Sequence, residues 1–292
     1  MDQLPLCLRA VRNSALAAAL AAGSLLGCAT TAPNDAAPVA ASPPAVAAVG
    51  AAQPNQLDRS AKLTEPQKRA QMHYQMGVDH LRQGRSPQAI GELLSAERFN
   101  PLDETIQFAL AEAYRQQGRN AEAEAHLIRA IQIRPSYHEA RLNLAAYYIQ
   151  AERLDEAIPL LKQLLAEPTF PAPWRALTNL GWAEYRSGRL EEAHQHLTLA
   201  VDYRPEYWPA RLNLGILESE RGNRAEAIEH FERVLEGKPS PLAEAEVRYR
   251  LAEQLLSMGD KPGAVHHLTV ASNLRPNGPW SKRSADYLKT LH

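Results

Sequence analysis

The residues that could do chemistry are few. His194 and His196 stand two apart and so leave a helix on different sides, and the adjacent His266 and His267 do no better as a ligand pair. His73 and His80 are seven apart and share a helical face, but it is the face turned toward a neighbouring helix, where a histidine packs more often than it binds metal. There is no phosphate-binding glycine loop, nucleophile elbow or metalloprotease helix in the chain. The expectation is therefore a non-enzyme without cofactor, metal or small-molecule substrate, its many Glu and Arg side chains forming solvated helix surface. What remains is Asn143, Asn179 and Asn213, each opening an Asn-Leu-Ala or Asn-Leu-Gly triplet. A carboxamide donates and accepts at once, so a row of them can hold the backbone of an extended peptide whatever its sequence.

Such a row needs equivalent elements to present it. The stretch from Trp174 to Tyr207 reads as a helical hairpin. Leu177, Leu180, Gly181 and Tyr185 fall at helical spacing, Gly188 breaks the run, and Ala193, Leu197 and Ala200 resume it before Pro205. Related copies start at Ala70, Glu104, His138, Trp174, Trp208 and Ala245, 34 to 37 residues apart. The eighth position is always small (Gly77, Ala111, Ala145, Gly181, Gly215, Ala252), as close helix approach requires. The twentieth is always alanine, from Ala89 to Ala264. Pro101, Pro135, Pro205, Pro239 and Pro276 close second helices, since proline lacks the N–H and clashes with the preceding turn.

This pattern resembles the tetratricopeptide repeat, a helix-turn-helix of 34 residues. The resemblance implies an all-α, right-handed superhelical solenoid of six repeats (70–103, 104–137, 138–173, 174–207, 208–244 and 245–278), together residues 67–278 with their lead-in. Residues 279–292 read as a capping helix with Trp280, Tyr287, Leu288 and Leu291 on its inner side. Extra length falls between repeats, in EPTFPAPW after repeat three and SPLAEAE after repeat five. First helices line the concave side of such a solenoid. The partner-binding surface expected there comprises the three asparagines with Tyr74, Val78, Leu81, Phe108, Leu142, Ile149, Trp182, Tyr185, Leu212, Ile216 and Tyr249, some of them shared with the core. That surface is apolar and aromatic, with no lysine cluster to clamp a terminal carboxylate, and suits an amphipathic or apolar segment of another protein. The alternative for the asparagines is that this residue is simply frequent at the sixth position of these repeats.

Ahead of the repeats, Arg9 and Arg12 precede an apolar run from Ser14 to Leu26, followed by Gly27 and Cys28. A charged start, a short apolar run and a small residue make a secretory signal, and the run is too short to span a bilayer. Leu25-Leu26-Gly27-Cys28 resembles the bacterial lipoprotein box, which implies removal of residues 1–27 and acylation of Cys28; the alternative is an ordinary signal peptide cleaved near Ala29 or Ala32, with Cys28 incidental. Ala29, where an aspartate would favour inner-membrane retention, implies the periplasmic face of the outer membrane. Residues 28–66 are Ala/Pro-rich, with Pro33, Pro38, Pro43, Pro44 and Pro54, and read as a disordered tether spanning roughly 35 Å. The two cysteines, Cys7 and Cys28, both precede the repeats, so no disulfide staples them. A formal charge of −1 with mixed signs gives no reason to expect nucleic acid as a partner.

An acylated, proline-tethered array of six such repeats resembles the pilotins of type IV pilus systems, outer-membrane lipoproteins that promote assembly of the secretin pore. The myxobacterial form is among those it resembles. The residues that carry this are FPAPWRALTNLGWAEYRSG from Phe170 to Gly188, AVDYRPEYWPARLNLGILESERG from Ala200 to Gly222, and the closing WSKRSADYLKTL. The resemblance implies a non-enzymatic chaperone that brings secretin subunits to the outer membrane and supports their oligomerisation; the chain itself is expected to be a monomer. The same anchor and fold also resemble the NlpI-type scaffold lipoproteins, which gather peptidoglycan hydrolases and proteases.

Overall fold

The computed structural model describes residues 63–291, so the signal, Cys28 and nearly all of the tether lie outside the described residues. Among the described residues thirteen helices follow one another with no strand. Six hairpins pair α1 (Glu65–Arg82) with α2 (Ser86–Phe99), α3 (Glu104–Gln116) with α4 (Asn120–Ile133), and α5 (His138–Gln150) with α6 (Leu154–Leu165). They continue with α7 (Pro173–Arg186) and α8 (Leu190–Tyr203), α9 (Trp208–Arg221) and α10 (Arg224–Glu236), and α11 (Pro241–Ser257) and α12 (Lys261–Leu274). The thirteenth helix, α13 (Pro279–Leu291), follows alone. We call the first helix of each hairpin A and the second B.

Local chemistry sets the ends. Thr64 caps α1 reciprocally with Gln67, and Pro66 sits in the first turn, where its missing N–H costs nothing. Helix α1 thus starts at Glu65 and the sequence-based tether boundary at Pro66 is two residues late, because a proline that ends a helix when internal can also begin one. Asp103 caps α3 by accepting from the N–H groups of Thr105 and Ile106. Each A helix turns into its B helix through a left-handed residue at the fifteenth position. It is glycine in five repeats (φ +69° to +87°) but Glu152 (φ 59°) in the third.

The hairpins close on their small eighth residues. A Cβ on Gly181 would lie 2.7 Å from Leu197 Cγ, and one on Gly77 would lie 2.6 Å from Leu93 Cγ. The alanines at position twenty are fully buried in all six B helices. Stacking the hairpins joins their apolar faces into a core that runs from Ala70 to Leu268, with Tyr148 and Leu160 touching both of its largest clusters. The insertion after α6 is pinned to α5: Glu167 accepts from Arg141 and bonds His138 at 2.8 Å, and Phe170 meets the His138 ring edge-on at 5.4 Å. At the C-terminal end α13 buries Trp280 against Tyr249 at 5.3 Å between ring centroids, with Arg250 and Arg283 over its ring at 5.0 and 4.8 Å.

Candidate functional site

The A helices carry the expected binding row, and burial divides it. Val78, Leu81, Phe108, Leu142, Ile149 and Leu212 are buried core side chains, and their contribution is packing. Ile216 is buried on α9, where it belongs to the same core as Trp182 and Tyr185. Tyr74, Asn143 and Tyr249 remain partly exposed. Large apolar side chains at the fifth and twelfth positions turn into the hairpin interfaces, which is where hydrophobic burial is most favourable.

The middle of the row is built more tightly. Trp182 and Tyr185, one helical turn apart on α7, meet at 4.9 Å between centroids, and the Tyr185 hydroxyl donates to Glu220 at the end of α9. Burial, and next the Glu220 carboxylate, push the Tyr185 pKa up, so the phenol stays a donor at any physiological pH. Asn179 and Asn213 are buried rather than splayed into solvent. Two donors of this row have no partner within the chain, Nε1 of Trp182 and Nδ2 of Asn213. Each leaves a hydrogen-bond demand that costs roughly 1–3 kcal/mol until an acceptor meets it.

The row ends differently. Its sixth position passes from asparagine to Arg250, which is bonded to the buried Glu246 at 2.9 Å. Burial raises the pKa of Glu246, and likewise that of Glu253 one turn beyond Tyr249. Burial also pushes the Tyr249 phenol up to about 12. This end of the row is therefore aromatic and carboxylate-rich, while its centre holds buried amide and indole donors.

Reading every glutamate as solvated surface is corrected by the structure. Glu184 on α7 and Glu218 on α9 are buried, and α8 supplies a histidine to each. His196 Nδ1 lies 2.5 Å from Glu184, and His194 Nε2 lies 3.4 Å from Glu218. The two histidines point to opposite sides of α8 and tie it to the A helix before and the A helix after. Asn223 donates to Glu218 at 2.6 Å, and Lys162 and Arg221 approach the two carboxylates at 3.8 and 3.6 Å. The sequence holds a signal for the first pair, glutamate at the eleventh position with histidine at the twenty-third of the same repeat, but in repeat five the same spacing gives Glu218 and His230, whereas Glu218 is met by His194 of repeat four. His73 bonds Glu92 at 2.7 Å and stacks on Phe99 at 5.7 Å, which makes it part of the hairpin packing. Among the described residues no group of three or more His, Cys, Asp or Glu side chains is placed to hold a metal ion.

Comparison with known proteins bears on this arrangement. Family profiles described as tetratricopeptide repeat match residues 74–138, 114–180 and 179–243. Together these matches span more than half of the chain. No curated protein sequence matches it. Among solved structures, PilW, described as a widely conserved type IV pilus biogenesis factor, superposes with a TM-score of 0.65 at 20% identity over 74% of this chain and 98% of that one. PilF of Pseudomonas aeruginosa gives 0.64 at 15% identity over 77% and 100%. The Cut9–Hcn1 assembly of the APC/C gives 0.66 at 18% identity, covering 77% of this chain and 43% of that one. At these identities the likeness is one of fold, and it extends to assemblies of unrelated purpose.

Proposed function

The chain belongs to the tetratricopeptide-repeat family of protein-binding scaffolds, and from that premise we propose that it is a pilotin-like assembly factor. In this reading Cys28 carries the acyl chains that hold it to the periplasmic face of the outer membrane. The A-helix row takes an extended or amphipathic segment of a secretin subunit and brings subunits together for oligomerisation. The single observation behind the binding site is that Trp182 Nε1, in the Trp182–Tyr185 ring pair, and Asn213 Nδ2 on the next A helix are buried without a partner within the chain, donors that a segment inserting between the A helices would meet as the row opens. Backbone carbonyls of a bound segment are the acceptors such donors call for, and the rings supply apolar contact. The sequence resemblance to pilotins, from Phe170 to Gly222, spans the same two A helices. The likeness in fold to PilW and PilF, over nearly the whole of both of those chains, supports the reading further.

The test is cross-linked capture of secretin from detergent-solubilised envelopes by the wild type and by a Trp182→Phe, Asn213→Leu variant. Strong capture by the wild type and several-fold weaker capture by the variant is the expected result. Equal capture by both would remove the site while leaving the partner. Recovery of peptidoglycan hydrolases or proteases in place of secretin would favour the scaffold role instead.

A further inference from the structure

The first A helix differs from the other five at two positions. In repeats two to six the third and seventh residues, from Ile106 to Val247 and from Leu110 to Leu251, are all at most 6% exposed. Their equivalents in α1, Met72 and Met76, are 52% and 42% exposed. The cause is positional: in later repeats the preceding B helix covers this face, and among the described residues no hairpin precedes α1. The opposite end is closed by α13, whose outer side carries the exposed Lys282, Asp286 and Lys289. One end of the solenoid is capped and the other presents methionines, the side chains best able to adapt to an apolar partner.

Residues ahead of α1 do not carry the pattern of a covering B helix. Extending the 34-residue register backwards places Asn55, Arg59 and Lys62 at the twentieth, twenty-fourth and twenty-seventh positions. In the six B helices those positions hold alanine, a large apolar residue and a small or aliphatic one. The face itself matches a different occupant. Arg69, Met72, Met76 and Asp79 form one stripe of α1 at helical spacing. Turned end for end about Tyr74, the stripe is its own complement: Met72 falls opposite Met76, and Arg69 opposite Asp79, twice. Arg69 lies over the Phe99 ring at 5.8 Å and pairs with no carboxylate among the described residues. Among the described residues Asp79 forms an ion pair only with Arg82 of its own helix, at 3.1 Å.

We propose that two copies of the chain associate through α1, antiparallel about a two-fold axis at Tyr74, with the methionines at the centre and two Arg69–Asp79 pairs at the flanks. This replaces the monomer expected from the sequence and is independent of the pilotin reading. Because the contact is isologous and the other end is capped, assembly stops at two. One helix from each copy buries less than the ~800 Å² per partner of a standard interface, so the dimer is reversible and concentration-dependent.

Sedimentation of the full chain in density-matched detergent tests this, with circular dichroism confirming the fold of every variant. The wild type should shift from monomer to dimer as concentration rises, and Met72→Glu with Met76→Glu should abolish the shift. Arg69→Asp sets four carboxylates around the axis and Asp79→Arg sets four guanidinium groups, so either variant alone should stay monomeric. An equimolar mixture of the two should dimerise, because each flank then pairs opposite charges. A wild type that is monomeric at every concentration would overturn the proposal, and so would a mixture that associates no better than its components. A monomer whose Met72 and Met76 resist peroxide oxidation would assign the face to residues 1–62 and overturn it as well.

Discussion

Gly215 on α9 faces Phe231 on α10 so closely that a Cβ on the glycine would lie 2.7 Å from the ring's Cε1. The other five hairpins pair their eighth residue with leucine at the twenty-fourth: Gly77 with Leu93, Ala111 with Leu127, Ala145 with Leu161, Gly181 with Leu197 and Ala252 with Leu268. Alanine is therefore accepted opposite leucine, and the single phenylalanine stands opposite glycine. Gly215→Ala should destabilise the protein by about 1–3 kcal/mol through overpacking. Adding Phe231→Leu should return part of that loss, although Phe231→Leu alone is destabilising. Urea unfolding of the four-member cycle checks this, and additive effects would refute the pairing.

The carboxylate of Glu184 should respond unequally to the loss of its two partners. His196, at 2.5 Å, is mostly sheltered, whereas the Lys162 side chain is 55% exposed and 3.8 Å away. His196→Ala strands a buried carboxylate and should cost roughly 3 kcal/mol, while Lys162→Ala should cost under ~1 kcal/mol. Denaturant midpoints for the two variants decide the matter, and equal losses would contradict it.

Stability should fall on mild acidification, with His267 as one cause. Burial, then Arg248, then His266 disfavour its imidazolium and lower its pKa to about 4. Arg248 Nη1 lies 3.3 Å from Nδ1 of this ring, a contact that suits the neutral imidazole as acceptor. Between about pH 4 and the unfolded value of 6.5 the unfolded chain binds more protons, so the contribution of this ring to stability is lost as pH drops through that window. Glu246 and Glu253, raised by burial, act with the opposite sign, which is why the comparison must be a difference. The melting temperature of His267→Gln should fall less than that of the wild type between pH 7 and pH 5. Parallel curves would exclude His267 as a contributor.

Much of the solenoid was legible because its determinants are local and repeated. Gly181 and Ala193, eight and twenty residues into one copy, recur six times over and fix which faces meet. The binding row was only half legible. Val78 and Leu142 sit at positions that line a groove in outline, yet an apolar side chain there is drawn into the hairpin interface. The buried polar pairs were harder to see. Glu184 and His196 are twelve residues apart and look like any two polar residues of an exposed helix until the hairpin closes on them. The open face of α1 is invisible in a single repeat, since Met72 and Met76 occupy positions that are core everywhere else.

The unmet donors of the row imply a trade between stability and binding. Asn213→Leu removes a buried donor without a partner and keeps the branching of the side chain, so it should raise stability by about 1 kcal/mol. The same change should weaken capture of the partner segment. A variant that is less stable, or one that binds as well as the wild type, would show that Asn213 is satisfied by other means.

If the chain assembles secretin pores, as proposed, a deletion strain should lose heat-resistant secretin multimers from the outer membrane while the monomer is still made. Restoration should need a chain that keeps Cys28. Normal multimers in the deletion strain would contradict the proposal.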